Sequence, residues 1–321
     1  MTQLLGMANL DWAIIVADRK VTWSTGETLD DPATKLIYLQ CFDARMAVAY
    51  TGLARIGSDP TGDWLTMRLA DALRHERWLK PALERLTEMT TDRFRRLPHR
   101  PVKLLVFFLG WGMQRELDTG EPIPALRGYV MSNFWRDHRP QDLQASFTLY
   151  EAPPIVPNAW GGPFGAVWNL NPPVEARLYE LLAARLPRTA YLGKAQQIIR
   201  RITEDPAAGV GFDLMSCAVP SDPNGRVINS YLPLHAAEQS FDICSQVIAD
   251  HNSVRYMGAS TFRYDVPVPV LPVLGRNARC HCGSTRRHKN CCGRGKLFRP
   301  LMGVEISPEG PRAWPAHPAP P

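Results

Sequence analysis

What limits the fold of this chain most is the order in which its hydrophobic period changes. Apolar runs of strand length come first, at residues 4–8, 12–17, 35–39 and 45–50. From Thr61 the period becomes helical, with Leu65, Leu69, Ala72 and Leu73 on one face and Asp63 in the first turn. A second helix is expected from Pro81 to about residue 97. Strands return at 102–111, 126–131 and 145–150, then a Pro- and Gly-rich loop. Val174, Leu178, Leu181 and Leu182 line a third helix, and Leu192, Ala195, Ile199 and Ile202 line a fourth beyond Pro187. The segments 212–218, 227–232, 241–248 and 254–264 close the series as strands. Helix pairs set between runs of strands bury their apolar stripes by covering sheet faces, so a layered α+β domain follows.

The opening stretch carries chemistry as well as structure. Asn9-Leu10-Asp11 turns the first two strands, since Asn and Asp side chains bond nearby backbone and tolerate left-handed geometry. Thr2 directly follows Met1, so removal of the initiator methionine leaves a threonine with a free α-amine. That amine, with a pKa of about 8, is a base beside a hydroxyl that is otherwise a poor nucleophile. Asp18 ends the second strand. The plainer reading of this stretch is an edge hairpin with Thr2 there by chance.

Charge divides the chain. The net charge is +6 over 321 residues, yet residues 275–299 alone hold eight Lys/Arg and no acid. Residues 1–274 hold 28 basic and 29 acidic side chains, so the main body is close to neutral and the basicity is local. No apolar run reaches the length of about 20 residues that spans a bilayer, and no basic segment precedes the first strand, so neither a membrane span nor a secretory signal is expected. Four of the seven cysteines fall within residues 280–292, while Cys41, Cys217 and Cys244 are scattered in apolar surroundings. This distribution fits a metal site plus buried thiols in a reducing cytoplasm better than a disulfide framework.

The element order and the opening motif together resemble the proteasome β-subunit and its bacterial protease relatives, members of the N-terminal-nucleophile (Ntn) hydrolases. Thr2-Gln3-Leu4-Leu5-Gly6 resembles their opening strand, and Ala17-Asp18-Arg19-Lys20-Val21-Thr22 their Asp-x-x-x-Thr segment. Lys35 falls near the family's lysine, Tyr50-Thr51-Gly52 is similar to the strand end that supplies an oxyanion-hole N–H, and Asp205 stands where the family has a second aspartate. The resemblance covers residues 2–232 and implies a four-layer αββα sandwich. It also implies roles: Thr2 as nucleophile, Lys35 favouring the alkoxide, Asp18 holding the lysine, Gly52 donating to the oxyanion and Asp205 supporting the amine. The family keeps two serines near this site; here the matching positions read Gly161-Gly162-Pro163 and Ala208. An amide- or peptide-bond hydrolase is one implication, and a catalytically inactive binding or adapter protein of the same fold is the other.

Residues 280–292 read Cys280-His281-Cys282, an eight-residue Gly-containing loop, then Cys291-Cys292. Zinc takes four thiolate or imidazole ligands in a tetrahedron, and two close pairs joined by such a loop can fold onto one ion. Two disulfides, a disordered basic tail, or His281 or His288 in place of a cysteine are the other readings. The segment resembles the SEC-C motif, the small zinc module at the C-terminus of the preprotein translocase ATPase and of many bacterial proteins. That resemblance implies Zn2+ on Cys280, Cys282, Cys291 and Cys292, although Ala278, Arg279, His281 and Thr285 depart from the usual form. It also implies a protein partner with an acidic surface. Nucleic acid is a weaker expectation, because no Phe, Tyr or Trp interrupts residues 275–297 to stack bases. The expected organisation is an Ntn-like domain at 1–265, a linker at 266–274, the zinc module at 275–296 and a disordered Pro-rich tail at 297–321, in a cytoplasmic protein of bacterial type. A homo-oligomer is a further expectation, since proteasome relatives form rings.

Overall fold

The opening hairpin forms as β1 (Leu4–Ala8) and β2 (Trp12–Asp18), with Leu4 opposite Ala17 and Ala8 opposite Ala13. Its turn is set by Asn9, whose Oδ1 accepts the N–H groups of Asp11 and Trp12 at 2.9 and 2.8 Å. The structure, a computed structural model, describes residues 4–9, 11–19, 35–97, 102–115, 122–136, 139–140, 142–152, 166–169, 188–189, 192–193, 197, 214–232, 239–240, 245–249, 253–257, 263–267, 277 and 287.

After the hairpin come β3 (Leu36–Cys41) and β4 (Ala44–Gly52), the short pair β5 (Arg55–Ile56) and β6 (Asp59–Pro60), and the helices α1 (Thr61–His75) and α2 (Leu79–Arg95). The long strands β7 (Leu104–Arg115) and β8 (Pro122–Ser132) follow, then β9 (Trp135–Arg136), β10 (Arg139–Pro140), β11 (Thr148–Glu151) and β12 (Ala166–Asn169). The last strands are β13 (Leu214–Pro220), β14 (Ile228–Leu232), β15 (Gln239–Ser240), β16 (Ser245–Ala249), β17 (Ser253–Met257) and β18 (Arg263–Pro267).

These strands make two large sheets, one ordered β12-β1-β2-β13-β14-β15 and the other β11-β8-β7-β4-β3-β16-β17-β18. Side-chain alternation gives each sheet two faces. On the eight-stranded sheet, Ile37, Leu39, Met46, Val48 and Phe108 meet Trp64, Leu65, Leu69, Leu83 and Leu86 of the two helices. The opposite face, with Leu36, Tyr38, Ala47, Phe107 and Leu109, meets Leu4, Ile15, Ala17, Met215 and Cys217 of the six-stranded sheet. The order is therefore helix pair, eight-stranded sheet, six-stranded sheet: a mixed α+β fold, mostly sheet. The outer face of the six-stranded sheet is also closed, because Leu5, Met7, Ile14, Val16 and Ala218 are no more than 2% exposed.

Local chemistry explains the helix ends. Thr61 donates its hydroxyl to Leu53 O at 2.7 Å and its N–H to Ala54 O, fixing the entry to α1. Helix α2 starts at Leu79, two residues before the expected Pro81, which fits because proline is tolerated anywhere in a first turn. The region read as one strand at 254–264 is two antiparallel strands, β17 and β18, and β18 runs to Pro267. β16 begins at Ser245 and pairs parallel with β3, a long-range partnership that a local apolar count does not reveal. The helices expected on 174–202 fall largely outside the described residues; Arg188, Thr189, Leu192, Gly193 and Gln197 are helical, and Leu192 is buried.

Candidate functional site

Six strand ends meet at one end of the paired sheets: the starts of β1, β3, β7 and β13 and the finishes of β2 and β4. The registers fix this, since Leu4 faces Ala17, Asp18 faces Leu214, Leu36 faces Ala49 and Gly52 faces Leu104. Asp18 belongs to the six-stranded sheet, and Lys35 leads into β3 of the eight-stranded one. Lys35 Nζ stands 3.5 Å from Asp18 Oδ2, an ion pair that crosses from sheet to sheet. Both side chains are buried, at 4% and 0% exposure. The resemblance implies that Asp18 holds Lys35, and the structure brings the two side chains together as this ion pair.

Burial sets the chemistry of this pair. Withdrawal from water disfavours the ammonium and lowers the Lys35 pKa from 10.5 to about 8, with the Asp18 charge and its hydrogen bond opposing that shift. A lysine that releases its proton near neutral pH can exchange protons with a neighbouring group or hold a positive charge beside a reacting atom. The same buried pair is also a structural bridge between the sheets.

Gly52 ends β4 with φ of 110°, a conformation that side chains other than glycine rarely adopt, and a Cβ there would collide with Lys103 O. The chain beside it is held firmly. Leu53 donates its N–H to Lys103 O at 3.1 Å. Asn133 accepts the Leu104 N–H on Oδ1 at 3.1 Å and donates Nδ2 to Val102 O at 3.0 Å and Gln144 O at 3.3 Å. Asn133 and Lys103 were not singled out from sequence. The one available signal was the polar run Ser132-Asn133 directly after an apolar strand.

Of the remaining sequence candidates, Thr2, Asp205, Cys280, Cys282, Cys291 and Cys292 lie outside the described residues. Cys41 and Cys217 are buried, as the scattered-cysteine reading expected, and Cys244 lies outside the described residues. Among the described residues no group of three or more His, Cys, Asp or Glu side chains is arranged to hold a metal ion. No helix among them is long and apolar enough to cross a membrane.

No protein-family profile matches the chain. A segment of 50 residues, 16% of the chain, is 40% identical to proteins named UPF0225 protein from Yersinia pestis (strain Pestoides F) and Yersinia pseudotuberculosis serotype IB (strain PB1/+). The match spans 32% of the length of these relatives, so the similarity to the UPF0225 proteins is local.

Proposed function

We propose that the main domain is an Ntn-type hydrolase of amide or peptide bonds, using Thr2 as nucleophile once Met1 is removed, and that residues 275–296 form a SEC-C zinc module. The observation that carries the hydrolase reading is the buried Asp18–Lys35 pair, which lies at the sheet end from which β1 starts. Leu4 opposite Ala17 is one register step from Asp18, so a strand continuing backwards in that register brings Thr2 towards this pair. There the Lys35 charge would lower the cost of forming the threonine alkoxide, the α-amine would relay its proton, and the Gly52 N–H would stabilise the tetrahedral oxyanion. Asp205 would support the amine end. The closed outer face of the six-stranded sheet supports a fourth layer, a second helix pair drawn from residues 174–202, and with it the αββα sandwich.

The zinc module rests on the spacing of Cys280, Cys282, Cys291 and Cys292, with Zn2+ as the ion whose geometry suits that donor set. Its basic surround favours an acidic protein surface as partner. A second reading, an Ntn-fold adapter without catalysis, is favoured by Gly161-Gly162-Pro163 and Ala208, where the resembling family carries serines.

Thr2→Ala separates the readings. Wild-type protein is expected to lack Met1 by intact mass, to take up one equivalent of a threonine-directed electrophile, and to cleave members of a fluorogenic peptide panel. Thr2→Ala is expected to lose both labelling and cleavage. Wild-type protein that retains Met1, or that is neither labelled nor active, removes the hydrolase and leaves the adapter.

A further inference from the structure

We draw no further inference here: the strongest candidate, the surface patch on the β5–β6 turn where Arg55 donates Nη2 to Ser58 O and the Arg93 guanidinium lies against Gly57, carries nothing because nothing in the structure shows what anion would cover it.

Discussion

Lys35 gives up its proton more readily in the folded protein, at about 8, than in the unfolded chain, at 10.5. The cost of burying its charge is therefore fully present below about 8. Between 8 and 10.5 the unfolded chain binds more protons, so this residue makes stability rise with pH, by at most about 1.4 kcal/mol per pH unit. Tyr38 and Cys41 run in the opposite sense. Burial raises their pKa values, Tyr38 to about 12, so the folded state keeps protons that the unfolded chain releases, and stability falls as pH climbs. A single protein's pH curve mixes these slopes, and Lys35→Met isolates one of them. The difference in urea-unfolding free energy between wild type and Lys35→Met is expected to move in favour of wild type from pH 8 to pH 10. Parallel curves would mean that Lys35 does not titrate in that window. At this scale the resemblance singles out Asp18, Lys35 and Gly52, and the structure joins the first two in an ion pair between the sheets. The sequence could not reveal Asn133, because its bonds to the Leu104 N–H and Val102 O join residues far apart in the chain that only the strand pairing brings together.

Elements were legible where their period is local. The β1–β2 hairpin and α1 start and stop close to where the residues say, since turn chemistry and a helical stripe are written in consecutive positions. The start of α2 was less so, because its cap comes from far away in sequence. Trp78 at its N-terminus offers no side-chain acceptor; instead Asp43, in the β3–β4 turn, accepts the Leu79 N–H on Oδ1 at 2.9 Å. Cys41 Sγ donates to the same oxygen at 3.4 Å. Burial pushes the Asp43 carboxyl up, against the lowering effect of these hydrogen bonds, so its charge is costly while its acceptor is useful. Asp43→Ala is expected to lose about 1–2 kcal/mol, the usual cost of a lost N-cap. Asp43→Asn keeps an acceptor and removes the buried charge, so its urea midpoint is expected to stay at or above wild type. An Asn variant as unstable as the Ala variant would show that the charge, not the hydrogen bond, holds the helix.

Across the whole molecule, the two sheets are joined by polar links at both ends of their shared core. Opposite the Asp18–Lys35 pair, Arg45 of β4 reaches the β13–β14 turn, donating Nη1 to Asp222 O and Pro223 O at 3.0 and 2.8 Å and Nη2 to Gly225 O at 2.6 Å. Trp111 Nε1 adds a bond to Val219 O at 3.3 Å. The Arg45 and Trp111 links escaped the sequence reading because each joins residues more than a hundred positions apart, and only the topology brings them near. Among the described residues, both cores and both links are built from residues 4–257. A segment this short has little apolar area to bury, and metal binding, with apparent free energies of about 10–16 kcal/mol for structural zinc peptides, would be its own folding energy. Elemental analysis is accordingly expected to find one zinc per chain, lost in Cys280→Ser and in Cys291→Ser and lost from wild type to a strong chelator. The urea midpoint of the main domain, followed by the fluorescence of buried Trp64 and Trp111, is expected to be the same with and without the metal. Wild-type protein free of zinc would remove the module. A midpoint that falls on chelation would instead make the metal part of the main core, joining two units that the chain's charge distribution separates.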